Sequence, residues 1–474
     1  MSTFAPHPPE SATVDSVAPP KVWQVGTLTY TISGLVSVAL WLIGGDFALQ
    51  VQSRDIVPAF QFLLKKYDAS DTFTALMMGS VPSTLSLFLS PIVSYKSDRH
   101  RGKWGRRIPF VLLSVPFSVL AMVGLAFSPA IGGYLHHALG THSLGANASV
   151  LIFFSLFWIV YGFASIIGVS VFNALLNDVI PQHFLGRIFG AFHVVSLSAG
   201  IIFNYWIFGV VATEYFWIFL GMGVLSLIGN MIVCLKVKEG DYPPPPPVEA
   251  APGIATFLTA AKGYFQECLG HSYYWWYFIF LLLCGMSGIP VNSFRLYYAI
   301  SLNMTQQQYG DCVALTYCLM MVSAYPLGAL ADRFHPLRMV LVLLGLFAIA
   351  LLCGDLFIKD VWTFSVAQVV MGIIYGPLLT TTALLGLRLL PRSNFAQFSS
   401  ASGILSCIVG IGFGPAVGVV LDYTHHNYRY TFYMSFFFTI LALLCGLVLH
   451  AKFMALGGPK NYVAPESTWG RKTR

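Results

Sequence analysis

The chain has 474 residues, 56% hydrophobic and 9% charged, with a formal net charge of +7. A soluble domain carries about 25% charged residues to face water, and mean hydropathy here is +0.72, so an ordinary soluble enzyme or a disordered protein is excluded. The positive charges sit in short clusters between apolar runs rather than in a basic domain, which excludes a nucleic-acid-binding protein.

In chain order, residues 1–25 are polar and rich in Pro and Ser. With no apolar signal region, they read as a disordered cytoplasmic tail. Apolar runs of membrane-spanning length follow at about 26–58, 71–95, 106–128, 148–176, 187–212 and 214–235. A stretch over 236–271 holds charges and the run Pro243 to Pro247, a stiff linker without helix. Six more runs lie at 272–300, 307–331, 338–357, 361–388, 394–422 and 429–452, before a tail over 454–474. The expected domains are therefore 26–235 and 272–453, each of six helices. Twelve spans with both termini cytoplasmic put 20 of the 26 Lys and Arg in cytoplasmic segments and 5 in outer ones, which satisfies the positive-inside rule.

The first helix contains the sharpest feature. Asp46 follows about twenty apolar or small residues, a depth at which a charged carboxylate is costly and marks function. It is expected to take up a proton on one side and release it on the other. Gln50 and Arg54 follow at i+4 and i+8, with Ser53 beside them, and share one arc of the helix. Asp55 lies off that arc and reads as a loop or interface residue. Between helices two and three stands Ser97-Asp98-Arg99-His100-Arg101-Gly102-Lys103-Trp104-Gly105-Arg106-Arg107-Ile108-Pro109-Phe110. Asp332, Arg333 and Arg338 stand at the matching place in the second half, and Pro181/Arg187 and Pro391/Arg392 match after helices four and ten. This echo indicates duplication, and parallel six-helix repeats with a midplane site describe one transporter architecture.

The segment 97–110, of the form S-D-R-x-R-x-x-x-G-R-R-x-P-F, resembles the loop between helices two and three of major facilitator transporters. It is more similar to the glycoside–pentoside–hexuronide symporters and the sucrose-transporter-like branch than to the general pattern. Gly45-Asp46-Phe47-Ala48-Leu49-Gln50, with Pro58 beyond, resembles that branch's first helix. The resemblance implies an all-α membrane protein, a monomer of two six-helix pseudo-repeats. It would carry a sugar or glycoside by alternating access, with the proton as coupling ion. Helix two has no acid between Asp71 and Asp98, unlike the melibiose-type sodium symporters, and helix four offers Asn173 where sucrose carriers place an acid. By the same resemblance, Asp98, Arg99, Arg106, Arg107, Asp332, Arg333 and Arg338 form a cytoplasmic gate.

Candidate substrate-binding groups are Gln50, Arg54, Asn204, Trp206, Asn292, Arg295, Gln368 and Tyr375, polar or aromatic residues near the expected midplane. Arg295 follows Gly288 and Pro290, which are expected to break helix seven, and Asp311 is its candidate partner. The eight cysteines form no CxxC pair and read as small hydrophobes. His136, His137, His142 and the pair His425-His426 are expected in outer loops without nearby carboxylates, so no metal site is expected. No P-loop and no cofactor motif is present. Rival readings are a same-fold carrier of an anionic amphiphile or organic acid, with Arg54 and Arg295 holding the anion, a uniporter, and more remotely a receptor or membrane enzyme. The compact loops lean towards a bacterial inner membrane.

Overall fold

The computed structural model describes residues 23–243, 268–391 and 395–465, except the side chains of 324–325, 327–329, 331–332, 396 and 460. Most of the expected proline-rich linker, 244–267, and residues 1–22 lie outside this description.

Twelve long helical segments are present among the described residues. They are α1 (Ile32–Lys66), α2 (Asp71–Arg99), α3 (Ile108–Leu139), α4 (Ala146–Val179), α5 (Gln182–Ile202) and α6 (Val211–Lys236), then α7 (Ser272–Ser301), α8 (Gln306–Arg333), α9 (Pro336–Phe357), α10 (Val361–Leu389), α11 (Phe395–Tyr423) and α12 (Tyr430–Ala455). Ten runs are long and apolar enough to cross a membrane, one of them being α5 and α6 joined over 55 residues. Helix α8 opens with Gln306, Gln307 and Gln308 and carries Asp311.

The expected tail is partly structured. Trp23–Val25 pairs antiparallel with Leu28–Tyr30 in a short hairpin before α1. Thr31 caps α1 by accepting from the Gly34 amide. The helix then runs 35 residues, through Pro58, to Lys66. That is about 52 Å, far more than the roughly 30 Å of a bilayer core.

With twelve helices, both chain ends lie on one face, here the terminal face. Each half packs internally, α3 on α4 and α6, α7 on α12, and α9 on α10 and α12. The halves meet mainly through α2 on α11 and α5 on α8. These pairs exchange under a pseudo-two-fold, because α8 and α11 occupy in the second half the places of α2 and α5. Hydrogen bonds joining the halves concentrate at the face opposite the chain ends. Gln61 Nε2 donates to the Ser293 carbonyl at 3.2 Å, Lys65 Nζ to Tyr428 Oη at 3.0 Å, and Ser80 Oγ to the Ile411 carbonyl at 2.5 Å. A Cβ on Gly418 of α11 would stand 2.6 Å from the Thr72 Cα of α2, so glycine is what permits this approach.

Two helices are irregular at this seam. A π-turn spans Leu76–Ser80 in α2, and another spans Phe203–Ile207 after α5, followed by a 3-10 turn at Phe208–Val210. The break expected in α7 does not occur. That helix is one run of 30 residues through Pro290. Nearby, Asn292 Nδ2 donates to the Gly288 carbonyl at 2.9 Å and Ser435 Oγ from α12 accepts from the Val291 amide at 3.3 Å, so side chains support the backbone around the proline.

Candidate functional site

On α1, Asp46, Gln50 and Arg54 stand at successive turns. Asp46 is buried, and its Oδ1 accepts from Gln50 Nε2 at 3.1 Å, while Oδ2 is buried with no partner. Gln50 Oε1 accepts in turn from Ser196 Oγ of α5 at 3.0 Å. The guanidinium of Arg54 lies 5.9 Å from the centre of the Tyr317 ring, on α8 of the other half. Arg295 of α7 lies within electrostatic reach of the hydroxyls of Tyr309 and Tyr317. Gly200 of α5 makes room for that ring, since a Cβ there would stand 2.7 Å from Tyr317 Cε2. One tyrosine thus stands near an arginine from each half. His193 of α5 is exposed and within electrostatic reach of Arg54. Among the described residues, neither arginine forms a salt bridge. The expected Arg295–Asp311 pair is not made, because Asp311 Oδ1 accepts from Gln307 Nε2 at 2.8 Å instead.

Other candidates fall elsewhere. Asn204 is buried in the π-turn after α5. Its Nδ2 donates to the Gly200 carbonyl at 2.8 Å, and its Oδ1 has no partner. The Tyr375 ring lies tilted 5.2 Å from that of Phe347 and packs on Gly288, one turn from Asn292. Gln368 is buried in α10. Trp206 is not among the buried candidates. It is 63% exposed, within the π-turn at Phe203–Ile207.

Sequence reasoning missed Asp55. It is fully buried, and neither carboxylate oxygen has a partner. Next to it Gln52 bonds Ser118 at 2.9 Å, Ser118 meets Ser226, and Tyr161 Oη donates to the Gln52 carbonyl. An unpaired buried carboxylate carries a large desolvation cost in its charged form.

At the terminal face, Arg107 pairs with Asp98, as expected. Both Arg106 and Arg107 also pair with Asp178 at the end of α4, at 2.5 and 3.0 Å. Glu239, just after α6, accepts from the amides of Arg106, Arg107 and Ile108. Asp178 and Glu239 were not singled out from sequence, and all these partners belong to one half. Arg99 lies over the Tyr95 ring, Arg333 near the Phe334 ring, and Arg338 donates to His450 Nε2 at 3.4 Å. The Asp332 side chain lies outside the description.

At the opposite face the expectation for His426 is overturned. Its Nδ1 lies 2.7 Å from Asp71 Oδ2 and 3.9 Å from Asp422 Oδ1. The turn after α11 folds His426 back over the start of α2, a contact between residues about 350 positions apart.

The family model of the Major Facilitator Superfamily matches residues 27–299 and 277–460. The chain belongs to the major facilitator superfamily. Membership indicates a transporter and not an enzyme, embedded in a membrane through many spans. Solved structures share the fold at low identity. A bacterial homologue of the human lysosomal transporter Spinster, inward-facing, is 13% identical over 91% of this chain and 98% of that one, with a TM-score of 0.61. A D-xylose–proton symporter is 12% identical over 92% and 97%, TM-score 0.59. A bacterial homologue of the iron transporter ferroportin, inward-facing, is 14% identical over 88% and 99%, TM-score 0.59. No curated protein sequence matches significantly.

Proposed function

We propose that this superfamily member moves a sugar or glycoside across the membrane by alternating access, in symport with a proton carried by Asp46. The observation that carries this reading is the half-satisfied Asp46 carboxylate. Gln50 holds one oxygen, the other is buried without a partner, and the same stripe continues through Ser196 and Arg54 to the other half. A proton on Oδ2 removes the charge that opposes closing the site, so loaded and empty carriers reorient and half-loaded ones do not. Gln50, Arg54, Asn292, Arg295, Tyr317 and Tyr375 supply amide, guanidinium, hydroxyl and ring surfaces suited to a polyol. The sugar assignment rests on the loop 97–110 and the first-helix pattern, while the D-xylose–proton symporter shares the fold alone.

The Lys and Arg distribution favours a cytoplasmic terminal face, and the seam at the opposite face is then that of a carrier closed to the outside. The rocking of two halves about a midplane site follows.

The test is uptake of labelled mono- and disaccharides by purified protein in liposomes. One-proton symport predicts about tenfold accumulation per unit of inside-alkaline pH gradient, since one unit is about 1.36 kcal/mol. Asp46→Asn is expected to retain downhill exchange and lose accumulation. Sugar flux in wild type that ignores the gradient overturns the coupling. A second reading, an anionic substrate, is favoured by the two arginines that meet on Tyr317 without a carboxylate. It predicts uptake of organic acids or charged lipids, but not neutral sugars, and loss of that uptake in Arg54→Gln and Arg295→Gln.

A further inference from the structure

We propose that Asp71, Asp422 and His426 form a zinc-class metal site that joins the two halves at the face opposite the chain ends. The ligand atoms come from the first residue of α2, the last turn of α11 and the turn that follows it. One atom from each residue lies within 4.8 Å of the others. At metal–ligand distances of about 2.0–2.1 Å, two ligands of a tetrahedron stand roughly 3.3 Å apart. The observed separations from His426 Nδ1, 2.7 Å to Asp71 and 3.9 Å to Asp422, bracket that edge. Shifts of roughly half an ångström by the half-exposed histidine bring its two edges to that length, and the carboxylates draw together along the remaining edge, which is at most 4.8 Å.

The surroundings fit a cation. Asp71 is fully buried, and its other oxygen accepts from Tyr428 Oη at 3.1 Å. Lys65 Nζ is bonded to that same hydroxyl at 3.0 Å. Asp422 accepts from the amides of Asp71 and Thr72 at 2.9 Å each, which fixes its carboxylate but leaves lone pairs towards His426. Two carboxylates therefore face one imidazole. His426 is 49% exposed and Asp422 28%, so an ion enters directly from solvent. The metal takes the place of the proton shared by His426 Nδ1 and Asp71, and that proton leaves to solvent. Water fills the fourth position. One nitrogen and two oxygens at this spacing suit Zn²⁺, whereas Ca²⁺ asks for six to eight oxygens.

Because the ligands are divided between the halves, the ion binds only where they meet. Zinc at 100 times its Kd would bias the carrier about 100-fold towards this conformation. The site would act as a brake read from solution, and it does not depend on which solute is carried.

The experiment is zinc binding to the purified full-length protein by equilibrium dialysis, with spin labels at exposed Leu144 and Asn427 to report the distance across this face. Wild type is expected to hold one zinc that His426→Gln and Asp71→Asn weaken at least tenfold and that His426→Cys retains. His136→Ala, at another loop, is expected to bind as wild type. Zinc should narrow the label distances in wild type and not in His426→Gln, and excess Ca²⁺ or Mg²⁺ should not displace it. Equal zinc binding in wild type, His426→Gln and Asp71→Asn, or displacement by Ca²⁺, overturns the proposal.

Discussion

Asp55 and Asp46 lie on one helix and differ in what the sequence shows of them. Asp46 stands out because apolar residues surround it in the chain. Asp55 follows Arg54 near the polar end of an apolar run, which reads as the edge of the membrane. The helix continues through Pro58 to Lys66, and that extension carries Asp55 into the packed half. Helix termination is set there by tertiary packing rather than by proline, so no local signal marks it. Both Asp55 oxygens lack partners, and an unsatisfied buried polar group costs about 1–3 kcal/mol. Asp55→Leu, close in shape, is expected to raise thermal stability by about that amount while lowering gradient-driven uptake, the pattern of a residue kept for function at the expense of stability. Thermal unfolding in detergent and liposome uptake, measured on one preparation, check both. A variant that is less stable and fully coupled would mean that Asp55 has a structural partner instead.

Among the elements, two helix starts follow sequence rules and the irregular turns do not. Thr305 and Asp360 open α8 and α10 with capping boxes, as their spacing to Gln308 and Thr363 allows. The π-turns in α2 and after α5 carry no proline at their centres and arise where helices of opposite halves press together. Helix α9 has an unusual cap: His335 Nδ1 accepts from the Leu337 amide at 3.3 Å, which only an unprotonated ring nitrogen can do. Burial, followed by Arg388, Arg338 and His450, pulls the His335 pKa from 6.5 down to about 4. The folded state therefore binds fewer protons than the unfolded state between those values. The contribution is complete above about pH 6.5 and is lost as pH falls towards 4. His335→Asn keeps an acceptor at the cap, typically worth about 1 kcal/mol, but does not titrate. Its melting temperature is expected to fall less than that of wild type between pH 7 and pH 4. Parallel curves would show that the cap is not linked to protons.

Across the whole molecule, the twelve helical segments are legible because hydropathy acts on every span independently of packing. Which faces of the halves touch is not legible, since it depends on pairs such as Thr72 and Asp422, about 350 residues apart. The Asp422 carboxylate accepts from the amides of Asp71 and Thr72 and from Thr72 Oγ1 at 2.5 Å, the charged cap of α2 supplied by the other half. Asp98, Arg106, Arg107, Asp178 and Glu239 form an equally dense cluster at the terminal face, yet all belong to the first half. The two clusters should therefore respond differently to mutation. Removing Asp422 weakens only the conformation in which the halves meet at this face. Charge-assisted hydrogen bonds contribute about 1.5–3 kcal/mol, and partial exposure brings the expected loss to about 1–3 kcal/mol, a shift of roughly 5- to 150-fold. Asp422→Ala should thus lengthen and broaden the Leu144–Asn427 label distances. Asp178→Asn removes the partner of two arginines inside one half. It should lower the melting temperature while leaving those distances as in wild type, because its partners move with it as the halves rock. If Asp178→Asn moved the labels and Asp422→Ala did not, the rigid halves would be drawn in the wrong place.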